Sequence, residues 1–361
     1  MNANVPASSV AQVVLPCAQL AATTAFLCDR LGFRVDRVVP ADAPAVIVVS
    51  GHGLVLRLEA AAQAAPLTLR LPLPLAALPA PGLCSLEGPG GLRVKWVDAN
   101  PPLSLPPLQP AFVLSRAGEG AGWGSGRAGM QYRDLLPGRL GGRFIASHIR
   151  IVEGGPVPDY VHFHHVRLQF IYCRRGWVRV VYEDQGSPFE MQPGDCVLQP
   201  PGIRHRVLEA SAGLEVVELA CPATHETCAD HSLALPNAVP KPRREFDGQR
   251  FVRHVAASAA WQPAGDGLAV RDSGIGAATS GLAAVRVLRA TADATPDLPL
   301  PPAAELLFLY VLEGGVHLRD GAHGEHALGT DDAVALPPDW CGTLRAGPGA
   351  QWLEVRLPGA A

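Results

Sequence analysis

Three histidines and a glutamine stand at spacings that can bring ligand atoms to one point. His162 and His164 lie two residues apart, Gln169 follows after a short gap, and His205 comes later in the chain. Residues two apart on a strand project to the same face, so the first two imidazoles point together. A turn then returns the chain along a neighbouring strand carrying Gln169, and His205 completes the set from a later strand. Imidazole nitrogen and amide oxygen both ligate divalent first-row ions, at roughly 2.0 to 2.2 Å. This nitrogen-rich mixture suits iron, nickel, copper or zinc better than calcium. The pattern reads as a metal centre inside a β-barrel.

The residues around these four resemble the two motifs of the cupin superfamily. The first runs here as Gly155, His162, His164, four residues, Gln169, six residues, Gly176. The second runs as Gly194, five residues, Pro200-Pro201-Gly202, two residues, His205, three residues, Glu209. The resemblance covers roughly residues 141–221. It departs at Gln169, where the family usually has glutamate, and at Glu209, where it usually has asparagine. It implies a double-stranded β-helix barrel in which His162, His164 and His205 hold a divalent transition metal. Fe2+ comes first, with Ni2+, Mn2+, Cu2+ and Zn2+ open. Gln169 is either a fourth ligand or a hydrogen-bonding partner of a metal-bound water.

A chain of 361 residues, 48% hydrophobic, has material for two or three cores. Charged residues make up only 17%, the net charge is −3, and there is no Lys/Arg run, so neither nucleic acid nor an anionic membrane is an expected partner. The first sixteen residues lack the basic start and continuous apolar core of a signal peptide, which points to a cytoplasmic protein. The longest apolar stretch, 71–84, is broken by proline and too short to span a bilayer, which takes about 20 residues. Eight cysteines are scattered with no CxxC pair, so buried free thiols are expected rather than a zinc ribbon or disulfide scaffold.

These elements order into a mainly β chain: two cupin-type barrels preceded by a small α+β domain. Residues 1–105 open with a strand at Val13-Val14-Leu15-Pro16 and a helix over residues 20–31 that buries Leu20, Phe26, Leu27 and Leu31 and ends at Gly32. Strands follow at 33–39, 45–50 and 54–58, separated by Ala41-Asp42-Ala43-Pro44 and Gly51-His52-Gly53. This βαβββ order, with "FLCDRLGFRV" across helix and strand, resembles a glyoxalase/bleomycin-resistance (vicinal oxygen chelate) module. Strands at 67–71 and 92–97 would belong to a second such module whose helix is replaced by a proline-rich stretch. The domain reads as degenerate and metal-free, with His52 a turn residue. Residues 106–130, rich in proline then glycine, read as a linker, residues 131–225 as the metal-binding barrel, 226–250 as a second linker and 251–361 as a second barrel.

The second barrel shows as an internal repeat. Arg133-Asp134, Ser147 to Ile151, Phe170-Ile171-Tyr172 and Val197 to Pro201 have counterparts at Arg271-Asp272, Ala283 to Val287, Phe308-Leu309-Tyr310 and Val334 to Pro338. That alignment sets Leu300, Pro302, Leu307 and Gly342 against His162, His164, Gln169 and His205. The second barrel has therefore lost every ligand and is expected to cover an exposed face or edge of the first.

Three neutral histidines and a neutral amide leave a divalent ion with its full charge, which favours an anionic chelating substrate such as an enolate, hydroxy or keto acid, thiolate or catecholate. Strand alternation predicts Tyr160 beside His162, Ile171 and Cys173 beside Gln169, and Val207 and Glu209 beside His205. On the strand before the first motif, His148 or Arg150 is the candidate to hold a substrate carboxylate or act as an acid. The expected activity is a metal-dependent oxygenase, as a dioxygenase acting on a small molecule, with Tyr160 as a hydrogen-bond donor behind the ligands. The alternatives are a non-catalytic small-molecule sensor and a non-redox lyase or isomerase. A homodimer through sheet edges is compatible with the pattern.

Overall fold

The computed structural model describes residues 11–40, 43–77, 85–119, 122–291, 295–301 and 303–358. Ala41, Asp42, Cys84 and Pro302, and most of the proline-rich stretch of the first domain, lie outside the described residues. The chain divides into two compact units, residues 1–102 and 103–361. Among the described residues, no helix is long and apolar enough to cross a membrane.

In the first unit, β1 (Val13–Cys17) leads into α1 (Leu20–Ala25), which continues as a wider turn through Arg30. Strands β2 (Arg34–Val39), β3 (Val46–Gly51) and β4 (Leu54–Ala60) follow, and the sheet order is β1-β4-β3-β2 with β1 parallel to β4. The βαβββ order of the sequence is present. Leu27 and Leu31 are buried against Leu56 and Leu58, whereas Leu20 and Phe26 are only partly covered. Gly32 ends the helix at φ 71°, a conformation that glycine adopts at least cost. His52 donates from Nε2 to the Leu31 carbonyl at 2.7 Å, within the turn between β3 and β4. Three further strands, β5 (Leu67–Leu73), β6 (Ser85–Glu87) and β7 (Leu92–Asp98), form a separate sheet in which β5 and β7 are parallel.

In the second unit the first barrel uses β9 (Gly124–Ser125), β10 (Gln131–Asp134), β11 (Ile145–Ile151), β12 (Gly155–Pro156), β13 (His162–His164), β14 (Leu168–Arg175), β15 (Val178–Tyr182), β16 (Phe189–Met191), β17 (Cys196–Leu198), β18 (His205–Ala210) and β19 (Leu214–Cys221). It is preceded by β8 (Val113–Ser115) and followed by β20 (Thr227–Ala229), a short hairpin of β21 (Glu245–Phe246) and β22 (Gln249–Arg250), and β23 (Val252–His254). The second barrel runs from β24 (Gln262–Gly265) and β25 (Leu268–Asp272) through β26 (Ala284–Ala290), β27 (Leu298–Pro299), β28 (Leu306–Glu313), β29 (Gly315–Asp320), β30 (Gly324–Gly329), β31 (Ala333–Leu336) and β32 (Thr343–Ala346) to β33 (Gln351–Leu357).

Neither segment expected as a linker is one throughout. Strand β8 pairs with β31 of the second barrel, while β23 pairs with β17 of the first. The barrels thus exchange edge strands, which satisfies backbone groups that an open edge would expose. Strand β9 and the turn Arg127–Gly129 lie against the first barrel, and β20 lines up beside β13. Proline and glycine content misled here because short strands between tight turns share that composition. The repeat alignment also needs a shift at one block. Ser147 sits opposite Glu218 on β19 and Arg286 opposite Glu354 on β33, so Ser147 corresponds to Arg286, not Ala283.

The two large sheets pack face to face. Leu168, Phe170, Tyr172, Val217 and Leu219 meet Phe308, Tyr310, Leu353 and Val355 in one core. Each large side chain fully buried there contributes about 1.5 to 3 kcal/mol, so the second barrel stabilises the first whatever else it does. Alternation along β14 then turns Gln169 and Ile171 into the lumen of the first barrel.

His148 belongs to this interface, not to the lumen. Its Nδ1 faces the Arg133 guanidinium (3.3 Å) and the Tyr310 hydroxyl (3.4 Å), and its Nε2 donates to Glu215 at 3.1 Å. Tyr310 donates to Asp331, which Arg174 also holds, and Trp123 covers the imidazole edge-on. Burial holds the His148 pKa below the ordinary histidine value despite the opposing pull of Glu215. An unfolded histidine titrates near 6.5, so below that pH the unfolded chain takes up a proton that the folded chain refuses. The stability carried by neutral His148 is complete above about pH 6.5 and is lost as pH falls toward the folded value. Urea denaturation between about pH 7.5 and 5 is expected to show a steeper loss for the wild type than for His148→Gln, by at most about 1.4 kcal/mol per pH unit. Equal slopes would contradict this.

Candidate metal centre

The site begins with the pairing of β13 and β18, which sets His162 directly opposite His205. His164 lies one step along the same face, and all three side chains are buried. One ring nitrogen from each of His162, His164 and His205 lies within 4.8 Å of the others. Each opposite nitrogen is already engaged. Nδ1 of His162 donates to the Tyr160 carbonyl (2.8 Å), that of His164 to the Glu226 carbonyl (3.0 Å) and that of His205 to the Ile203 carbonyl (3.1 Å). A carbonyl only accepts, so each Nδ1 carries the proton and each Nε2 keeps its lone pair. Burial, backed by the like charges its neighbours would carry, pushes the His205 pKa well down. Burial does the same at His162, and takes His164 to about 3. Three neutral imidazoles with their unprotonated nitrogens converging fit a divalent transition metal, whose histidine ligands are characteristically fixed by such outer hydrogen bonds.

Gln169 is buried on β14 and lines the same cavity. Its Nε2 donates to Glu218 at 2.6 Å, which leaves its carbonyl oxygen as the atom able to serve the cavity. Glu218 comes from β19, diagonal to Gln169 in the antiparallel ladder. A carboxylate from the neighbouring strand thus holds the amide at position 169.

The cavity holds about 400 Å³. Ile149, Ile171, Val180, Val207 and Val216 wall it, and its charged lining is Arg127, Arg139 and Arg150 against Glu218. Ile171 and Val207 stand where alternation predicts, Cys173 shares their interior face but packs below the cavity, Tyr160 meets His162 from outside it, and Glu209 turns away. Tyr160 is 41% exposed and is not part of the cavity wall. The regular strand starts only at His162, so the alternation does not extend back to residue 160, and this residue gives the site its carbonyl and a ring set edge-on to His162, centroids 5.9 Å apart. Cys173 faces inward as expected, packed with Ile149, Ile171 and Val180, and burial pushes its thiol up to about 12. Glu209 pairs with Arg179 instead, because β18 carries one extra residue between its partners of Arg179 and Val180, and this bulge reverses the alternation. Arg150 contributes to the lining, with its guanidinium 4.0 Å from the Trp123 ring.

Sequence reasoning missed four polar residues. Glu218 was legible in principle, since Leu214, Val216 and Glu218 share one strand face. His225 lines the rim beside His164, with ring centroids 5.2 Å apart and its Nδ1 on the Pro222 carbonyl. Asp159, its side chain wholly buried, accepts from the Val207 N–H at 2.9 Å and pairs with Arg127. Arg127 also donates to His162 Nε2 at 2.7 Å. No motif marked it, because it lies in the glycine-rich stretch taken as a linker.

Comparison with known proteins agrees with this geometry. Residues 148–220 match the model of the cupin domain family. The crystal structure of protein Ylba from E. coli superposes with a TM-score of 0.52 at 12% identity, covering 70% of this chain and 93% of that one. A variant of oxalate decarboxylase from Bacillus subtilis superposes with a TM-score of 0.51 at 14% identity, covering 72% and 79%. No curated protein matches the chain. At such identities the likeness is one of fold.

The Gln169–Glu218 contact sets a test. Gln169→Glu puts two carboxylates within hydrogen-bond distance and is expected to destabilise the protein at neutral pH by about 1 to 3 kcal/mol in urea denaturation. The loss should shrink as pH falls and one carboxylate takes a proton. Adding Glu218→Gln should restore stability, since donor and acceptor have only changed places. A single variant as stable as the wild type at pH 7 would sink the pairing.

Proposed function

We propose that this two-barrel cupin is a metal-dependent dioxygenase acting on a small, anionic, metal-chelating organic compound. The observation that carries the reading is a buried set of three neutral imidazoles with no carboxylate among them, at the base of an apolar cavity whose charged lining is three arginines to one glutamate. His162, His164 and His205 would hold the ion, and Gln169 would offer its amide oxygen to it or to a water beside it. A divalent transition ion bound there supplies Lewis acidity and, where it is iron, electrons for dioxygen.

The chain's own groups do the rest. The arginines hold an anionic group of the substrate and turn its chelating end inward. The isoleucine and valine walls exclude bulk water, which strengthens every charge interaction inside. Glu218, fixed by Gln169, is placed to accept a proton from a substrate hydroxyl as it enters, giving the enolate or phenolate that chelates. Glu218 also supports a second reading, a non-redox lyase or isomerase, because an acid–base group in the cavity is what proton transfer at carbon needs.

Protein reconstituted anaerobically with Fe2+ and presented with catechols, hydroxy acids and keto acids is expected to consume dioxygen in proportion to one substrate class, and the zinc form to be inert. Turnover that is equal with zinc and indifferent to oxygen would overturn the dioxygenase and favour the lyase or isomerase.

A further inference from the structure

Arg127 stands at the mouth of the candidate site in a position that the metal reading does not by itself explain. Its turn is tightly built. Ala128 and Gly129 adopt φ of 54° and 75°, and Gly126 presses on the Tyr132 ring so closely that no Cβ would fit. One arm of the guanidinium lies on the Oδ1 of Asp159, whose other oxygen is tied to the backbone of β18. The second arm donates to His162 Nε2, the nitrogen that faces the other two imidazoles.

A guanidinium stays charged and has no acceptor. The lone pair on His162 Nε2 can serve Arg127 or a metal ion, but not both. When an ion takes that nitrogen, the second arm must leave, while Asp159 keeps the first arm in place. The released arm then lies beside a second cation with Asp159 as the carboxylate already paired to it, an arrangement that a further anion favours. A substrate that chelates the ion through one oxygen and presents a carboxylate or similar group to the guanidinium would satisfy both.

Resting on the reading of the triad as a metal centre, we infer that Arg127 occupies the ion-facing nitrogen in the metal-free protein and clamps the anionic substrate in the metal-bound one. Ion and anion therefore bind cooperatively. Linkage requires that the gain be reciprocal: the anion tightens the ion as much as the ion tightens the anion.

Co2+ binding, followed by its visible absorption at neutral pH with free Co2+ fixed, tests this on the full chain, with oxalate as a minimal chelating dianion. Without oxalate, Arg127→Gln is expected to bind Co2+ about tenfold more tightly than the wild type, because the competing donor charge is gone. Oxalate is expected to raise wild-type Co2+ affinity by about tenfold, within the usual range of coupling between sites, and that of Arg127→Gln by less than about twofold. Arg127→Lys keeps a charge for Asp159 but has no second arm, and should show a reduced but measurable oxalate gain. It serves as the deciding variant if Arg127→Gln does not fold, and either full loss or full retention of the gain in it overturns the clamp. Co2+ affinity and oxalate gain in Arg127→Gln equal to those of the wild type overturn the clamp alone. A wild type that takes up no more Co2+ than His162→Ala overturns the metal reading, and the clamp with it.

Discussion

Three backbone carbonyls, from Tyr160, Ile203 and Glu226, each take the Nδ1 proton of one buried histidine, and the rest of the site follows from that. Once those protons are committed, each ring keeps its lone pair on the other nitrogen, and the ladder between β13 and β18 brings the lone pairs together. The arrangement is costly to dismantle, since a displaced ring would give up its hydrogen bond and, at buried Ile203, leave a carbonyl without a donor. Two of the carbonyls lie within two residues of the histidine they hold. The third comes from the segment just before β20, which shows why the stretch after the first barrel is folded against β13.

The second barrel carries the same scaffold with the chemistry removed. Leu300, Leu307 and Gly342 stand where the first barrel has His162, Gln169 and His205, and Trp340 and Trp352 fill its interior. Glu354 keeps the place of Glu218, but it is answered by Arg286, and by Arg356 at 3.6 Å, rather than by a glutamine. What this barrel gives the first is apolar surface and edge strands. Its Phe308, Tyr310 and Val355 complete a core that the first barrel's outer sheet face would otherwise expose to water, and exchange of β8 and β23 pairs the edges of β31 and β17. A lumen held rigid from outside can afford to keep polar groups inside.

The triad was legible in the sequence because ligand spacing on strands is a period-two signal, and two histidines separated by one residue have few other uses on a barrel strand. The repeat was legible through its aromatic and proline blocks. Tyr160 stands beside His162 but outside the cavity, because the regular strand begins only at His162. Glu209 was misplaced because a bulge leaves no mark in residue types. Arg127 and His225 were invisible for another reason: they reach the cavity from irregular chain, where no periodicity links position to direction. Glu218 could have been found by continuing the alternation one strand past the second motif.

The central claim is that His162, His164 and His205 hold one metal ion between them. Elemental analysis of protein purified without added metal, set beside a His162→Ala/His164→Ala double variant of the same fold by circular dichroism, tests it most directly. The account predicts about one divalent transition ion per chain in the wild type and almost none in the double variant. Metal content unchanged by the two substitutions would contradict it.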